Sequence, residues 1–281
     1  MSGDQPWVPL TDVGAPLVPE TAATPAPPNT FRSSHPATTA PLRVVTYNVQ
    51  YAPDPDAIAS TITSDPQLAS AGLILIQEIE AYPDEGESRA SKIAAALGMG
   101  YLYVPARLKG TGSHGLAILS SFPITNVEKM DLPDSGHKTQ HRIAVSADID
   151  VNGNLLHVID VHLDTELAAA ERVAQLHPAV IDAPPATMVA GDFIMAWVPF
   201  ATGGVPVLTG SGASDQAPII DSSMRALSFD TPAAESGPTE HMFGVEQRLD
   251  AFYSRDLDVT FGAVERVGPS DHWPMWLDVT F

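Results

Sequence analysis

Residues 269–274 read Pro269-Ser270-Asp271-His272-Trp273-Pro274. A carboxylate lies beside an imidazole in a proline-bounded turn, and the turn runs straight into the apolar segment Met275-Trp276-Leu277-Asp278-Val279-Thr280-Phe281. An acid–histidine pair at the mouth of a strand is chemistry that needs partners. Candidates in similar settings lie upstream: Asn48, Glu78, His162, Asp192 and Asp250 each end or follow a short apolar run. Because the ends of neighbouring strands converge in space, these positions are read together.

The 281 residues are enough for one large α/β domain or two small ones, and 44% apolar content supplies a core. No window approaches the ~18 consecutive apolar residues of a membrane span, so none is expected. Cysteine is absent, which removes disulfides and thiolate chemistry and leaves the compartment open. The net charge of −20, with only four lysines, weighs against a long polyanionic partner. Nucleic acid is therefore disfavoured, a small or neutral-tailed substrate is favoured, and a monomer is expected.

Residues 1–41 repeat Pro, Ala and Thr without apolar period and read as an extended arm; residues 42–281 form the folded unit. Met1-Ser2-Gly3-Asp4 has neither the basic start nor the apolar stretch of a signal peptide. Alternation and β-branching predict a strand over 42–49 and a buried strand over 72–78. A helix is expected from Asp56 to about Ser64, and another from Glu87 to Leu97 with Gly98 as its stop. Further strands are expected near 101–104, 115–120, 188–192, 249–254, 258–263 and 275–281. A hairpin joins 142–150 to 155–162 across Asn152-Gly153-Asn154. A third helix is expected from Glu166 to His177, ended by Pro178, while 131–139 and 199–240 read as loops. Strands outnumber helices and several pair as hairpins, so packed mixed sheets flanked by helices are expected rather than a doubly wound parallel sheet.

Two motifs are set aside. Gly110-Thr-Gly112-Ser-His-Gly115 matches G-x-G-x-x-G by letter, but it precedes a strand instead of opening a helix. His137 and His141 have the i, i+4 spacing of zinc ligands but fall in a turn-rich loop and read as solvated. The carboxylates at strand ends carry more. A hard cation takes oxygen ligands, and Glu78 with Asp271 or Asn48 would serve Mg²⁺, with Mn²⁺ or Ca²⁺ as alternatives. His162 and His272 would then donate to a phosphoryl group whose charge grows in the transition state.

The ordered set Val45-Thr46-Tyr47-Asn48-Val49, Ile76-Gln77-Glu78, Gly115-Leu-Ala-Ile-Leu-Ser120, Val161-His162-Leu163-Asp164, Gly191-Asp192-Phe193, Arg248-Leu249-Asp250 and Ser270-Asp271-His272-Trp-Pro274 spans residues 42–281. It resembles the endonuclease/exonuclease/phosphatase (DNase I-like) superfamily. The resemblance implies a four-layer α/β sandwich whose two mixed sheets meet at a metal cleft. It implies that Glu78 binds Mg²⁺ with help from Asn48 and Asp271, and that Asp192 positions or deprotonates the attacking water. His272, oriented by Asp250, would contact the phosphate, with His162 assisting. Arg142 falls where relatives carry a basic residue near the cleft and is a candidate substrate contact.

One position departs from the family pattern. Where relatives read Gly-Asp-Phe-Asn, this chain has Ile194 after Gly191-Asp192-Phe193, and the run continues Met195, Ala196, Trp197, Val198. Isoleucine cannot hydrogen-bond to a nucleophile or phosphate. Three readings stay open: weakened phosphodiesterase chemistry, compensation by a loop residue, or a pocket diverted to binding or transforming an apolar small molecule, as in secondary metabolism. The expected function is thus an Mg²⁺-dependent phosphoesterase acting on a small or lipid-like phosphate ester, with the diverted site as the alternative.

Overall fold

The computed structural model describes residues 6–10, 41–134, 140–196, 200–201, 205–206, 215–242 and 244–281. The first half of the chain runs β1 (Val8–Pro9), β2 (Leu42–Tyr51), α1 (Pro55–Ser64), β3 (Leu73–Ala81), α2 (Arg89–Leu97), β4 (Gly100–Lys109), β5 (Gly112–Ser120) and β6 (Ile124–Asp131). It continues through β7 (Ile143–Val151), β8 (Asn154–His162), α3 (Ala169–Val180), β9 (Thr187–Asp192), β10 (Phe200–Ala201) and β11 (Val205–Pro206). The last part is α4 (Ala217–Ala226), β12 (Glu240–Met242), β13 (Val245–Gln247), β14 (Asp250–Arg255), β15 (Asp258–Val264) and β16 (Met275–Thr280).

Two six-stranded mixed sheets form the body, ordered β15-β16-β2-β3-β5-β4 and β1-β6-β7-β8-β9-β14. Their inner faces enclose one apolar layer, to which β2 gives Leu42 and Val44, β3 gives Leu73 and Leu75, β8 gives Leu156 and Val158, and β9 gives Met188 and Ala190. The opposite faces of the same strands are also buried. Val45, Tyr47, Ile74 and Ile76 pack against Ile58 and Ile62 of α1 and Ile93 of α2. Ile159, Val161, Val189 and Tyr253 pack against Leu176 of α3 and Ile220 and Met224 of α4. This makes four layers, helices–sheet–sheet–helices, the DNase I-like α/β fold. Strands covered on both faces explain the near-continuous apolar runs at 73–76 and 158–161.

Local chemistry sets the boundaries. Asp54 caps α1 by accepting from Ala57 N at 3.1 Å, with Pro55 in the first turn. Ser88 caps α2, and Gly98 ends it in the left-handed conformation (φ 69°).

Three sequence expectations need correction. Helix α3 does not end before Pro178 but runs to Val180, because Ala179 and Val180 bury against Leu176 and the sheet while Ile181 N still reaches His177 O at 3.0 Å. The stretch read as loops over 199–240 contains α4, whose Ala217, Ile220, Asp221 and Met224 form one buried helical face. Strand β6 is absent from the expected elements, and its bulge is the reason: Asn126 has φ 46° and the pairing register with β7 shifts between Thr125 and Glu128. The buried residues Ile124, Val127 and Met130 consequently recur every third position, which hides a period of two. Val8 and Pro9, from the stretch read as an arm, pair with Lys129 and Glu128 on the edge of β6. His137 of the zinc-like spacing, with Trp197 and Val198 of the apolar run, lies outside the described residues. His141 meets Asp131 Oδ1 at 3.1 Å at the surface.

Candidate active site

Strand alternation delivers the site. The inner-face series that begins Leu42, Val44 on β2 continues Thr46, Asn48; Leu73, Leu75 on β3 continues Gln77; Leu156, Val158 on β8 continues Asp160, His162. On β9, Met188 and Ala190 are followed by Asp192, while β14 enters the layer with Asp250 before Phe252. Both β2–β3 and β8–β9 are parallel pairs, so their C-terminal ends open at the same edge of the sandwich. In register, Asp192 is flanked by His162 on one side and Asp250 on the other. Neutral amide chemistry marks the border between core and cleft. Gln77 Nε2 donates to Asp160 Oδ1 of the facing sheet at 2.7 Å and lies 3.1 Å from Thr46 Oγ1. Burial pushes the Asp160 carboxyl well above its usual range.

Asp192 is the hub. Its Oδ1 accepts from Ile194 N at 3.0 Å and its Oδ2 from Asn48 Nδ2 at 2.9 Å. The same Oδ2 lies 3.6 Å from His162 Nε2 and 3.7 Å from His272 Nε2. Burial pushes this carboxyl up to about 7, against the pull of His272.

The two histidines that face it carry different charge. Arg142 Nη1 stands 2.9 Å from His162 Nδ1, and a guanidinium only donates, so Nδ1 holds the lone pair and Nε2 the proton. Burial and then Arg142 keep His162 well below the ordinary imidazole range, hence neutral. Its Nε2 has no hydrogen-bond partner among the described residues and lies 3.7 Å from Glu78 Oε1. His272 is the reverse case. Burial opposes its charge, but Asp250, whose Oδ2 is 2.8 Å from Nδ1, and then Asp192 outweigh it and hold the imidazolium. The arrangement therefore presents one neutral and one charged N–H donor on either side of one carboxylate.

Glu78 occupies a strained position. Its φ is 58°, and the pairing of β3 with both neighbours shifts on either side of it, so the side chain leaves the strand's alternation and turns toward the cleft. Its carboxylate is 20% exposed, far more open than Asp192 at 1%. Burial raises its pKa, Arg142 and His272 oppose that, and Asp271 reinforces it. Asp271 Oδ2 accepts from Gln50 Nε2 at 2.8 Å. The 269–274 turn is fastened to β2 by Ser270, whose Oγ donates to Asn48 O at 2.8 Å and accepts from His272 N at 3.1 Å. Glu78, Asp271 and the Asn48 side-chain oxygen, which also accepts from Gln50 N at 3.0 Å, offer an all-oxygen set for a hard cation. A second arrangement, Asp192, Asp250 and His272, has ligand atoms within 4.8 Å of one another. There, however, the His272–Asp250 hydrogen bond already occupies two of the three groups.

All nine residues singled out from the sequence reach this region, although Arg142 and Ile194 do so behind others. Arg142 is buried and touches His162. Ile194 is buried at φ 52°, a left-handed conformation that a β-branched side chain strongly disfavours. Sequence reasoning misses two groups. His114, from the glycine motif set aside, is buried with its ring 6.3 Å from that of His162, and burial and then Arg107 take its pKa down to about 2. Glu240 is buried beside His272, and burial pushes its carboxyl up to about 8. A polar residue inside β5, which pairs with β3, is the signal that could find His114; no such signal marks Glu240.

No curated protein matches this chain by sequence. Solved structures share its fold. An endonuclease/exonuclease/phosphatase family protein from Leptotrichia buccalis C-1013-b is 15% identical, with 85% of this chain and 100% of that chain covered and a TM-score of 0.63. The human Nocturnin catalytic domain is 16% identical over 86% of this chain and 94% of its own, TM-score 0.59. The 3' phosphatase NExo from Neisseria, solved with a product DNA hairpin, is 16% identical over 85% and 100%, TM-score 0.57. A sequence model described as the Endonuclease/Exonuclease/phosphatase family matches residues 45–193, more than half of the chain. With the two-sheet fold and the strand-end cluster already described, this chain belongs to the endonuclease/exonuclease/phosphatase family.

Proposed function

We propose that this chain is a divalent-cation-dependent phosphoesterase acting on a small or lipid-like phosphate ester rather than on duplex DNA. One observation carries the reading: Asn48 Nδ2, His162 Nε2 and His272 Nε2 converge on Asp192 Oδ2 from 2.9, 3.6 and 3.7 Å. That geometry supplies a fixed base with two N–H donors facing the place where a phosphoryl oxygen would gain charge.

The roles follow from the bonds. Asp192, oriented by Asn48 and by the Ile194 N–H, takes the proton of the attacking water, and a pKa of about 7 suits that task. His272, held by Asp250, gives a charged hydrogen bond to the phosphoryl group, and His162, held by Arg142, gives a neutral one. Glu78, Asp271 and the Asn48 oxygen fit Mg²⁺, with Mn²⁺ or Ca²⁺ next, and such an ion when bound would polarise a phosphoryl oxygen. The charge of −20 argues against a long polyanionic substrate. The test is a chromogenic phosphodiester or monoester with Mg²⁺: the parent hydrolyses it, and Asp192→Ala and His272→Ala do not. Equal rates in parent and variants would end the proposal.

Ile194 favours a second reading, in which hydrolysis is lost or diverted toward an apolar small molecule. An asparagine tolerates the left-handed backbone at φ 52° and adds a hydrogen-bonding group, whereas isoleucine does neither. A large gain in rate for Ile194→Asn marks degraded hydrolysis; inactivity of both forms marks a repurposed site.

A further inference from the structure

Glu240 belongs to the cleft but to none of the roles above. It forms an isolated antiparallel bridge with His272. Residues opposite one another in such a bridge project side chains to the same face, with Cβ atoms roughly 4.5–5.5 Å apart. His272 is fixed on that face by Asp250 and Asp192, so the Glu240 carboxyl stands beside it, within the field of Asp192, Asp250 and Asp271 as well. The backbone holds it there: Trp273 N donates to Thr239 O at 2.7 Å, and His241 N donates to Asp271 O at 2.8 Å.

Glu240 is 1% exposed, and neither carboxyl oxygen has a hydrogen-bond partner among the described residues. A buried carboxyl left unpaired destabilises the fold, so packing does not account for it. On the other side of the cleft Arg107 and Arg142 lie near His114, while Lys109 is paired with Glu80. A phosphate ester lying across Asp192, its oxygens held by His162 and His272, could extend its organic arm past His272 to Glu240. His272 supplies positive charge beside it, yet neither oxygen meets an N–H among the described residues, and a primary ammonium brings three such donors.

We propose that Glu240 is the specificity-determining residue of this cleft and selects a phosphate ester whose organic arm ends in a primary ammonium group. The proposal rests on the reading that the cleft holds a phosphate. Calorimetric titration of the full chain with Mg²⁺ tests it, using phosphoethanolamine, ethyl phosphate and phosphocholine as probes. At about pH 9 the Glu240 carboxyl is mostly ionised and a primary ammonium keeps most of its charge. The parent is expected to bind phosphoethanolamine about ten-fold or more tightly than ethyl phosphate, the scale of one hydrogen bond to a charged group. Glu240→Gln, which keeps the shape, removes that preference, and ethyl phosphate, relieved of a negative charge beside His272, binds no more weakly than to the parent. Phosphocholine, which has no N–H, binds more weakly than phosphoethanolamine. Equal affinities in the parent, a preference that survives Glu240→Gln, or no binding of any probe overturns the assignment. Turnover of a chromogenic diester is measured alongside. Turnover without ammonium preference sinks this inference alone, whereas preference without turnover upholds it and sinks the hydrolytic reading.

Discussion

The inter-sheet layer has two ends made from the same strands. At one, Leu73, Leu75, Leu156, Val158 and Met188 pack in one buried apolar cluster. At the other, further along those strands or beside them, Glu78, His162 and Asp192 meet Asn48, Asp250 and His272. The first end gains stability by excluding water. The second holds buried atoms without partners among the described residues, such as His162 Nε2, Asp250 Oδ1 and both oxygens of Glu240, and it carries strained backbone at Glu78 and Ile194. The contrast teaches that the site is the place where this core stops being a core, held rigid by the apolar end behind it.

Changes at the two ends should have unlike effects. The largest separation is expected for Asp192→Asn, which should lower phosphoesterase turnover by about 10²–10⁴-fold, the range of general-base removal. Its thermal midpoint should stay level or rise, since a buried carboxyl with a raised pKa is relieved. At the apolar end, Leu75→Ala should cost about 2–5 kcal/mol in denaturant unfolding. Activity per folded molecule should be kept.

A pH series sharpens the contrast. Asp192, Glu240 and His272 all have pKa values above their ordinary ones. In each case the folded state holds its proton longer than the unfolded state does. Without added metal, stability from these groups is therefore fullest at low pH and is lost as pH rises, through about 7 for Asp192 and about 8 for Glu240. Melting followed across this window should show the midpoint falling, and Asp192→Asn combined with Glu240→Gln should flatten the fall. A midpoint that rises with pH contradicts it. The smallest effect is at Glu78, where φ is 58°. Glu78→Gly should stabilise the metal-free chain by about 1 kcal/mol in denaturant unfolding through relief of strain.

Much of this architecture is legible in the order of the amino acids. Each strand-end residue follows an apolar run, and alternation within those runs fixes which side chains face inward. Asn48, His162 and Asp192 are readable for that reason, as are the turn at 269–274 and the hairpin at Asn152-Gly153. Illegible features are those where tertiary contacts override local pattern. Glu240 lies in a three-residue strand with no apolar run to announce it, and its place is fixed by the bridge to His272, 32 positions away. Strand β6 is disguised by its bulge, α4 by the glycine- and serine-rich stretch before it, and the end of α3 by a proline whose cost packing offsets. His114 hides in a glycine motif that forms the tip of the β4–β5 hairpin.

The proposed roles put a hard cation at Glu78, at the polar end of the layer, and leave Asp192, Asp250 and His272 free for proton and phosphoryl work. Titration of Mn²⁺ followed by electron paramagnetic resonance tests this placement in the parent, Glu78→Gln and Asp250→Asn. The parent and Asp250→Asn are expected to bind one ion, and Glu78→Gln to lose it. An ion retained by Glu78→Gln and lost by Asp250→Asn would instead place the metal in the Asp192–Asp250–His272 cluster and rule out the role given to Glu78.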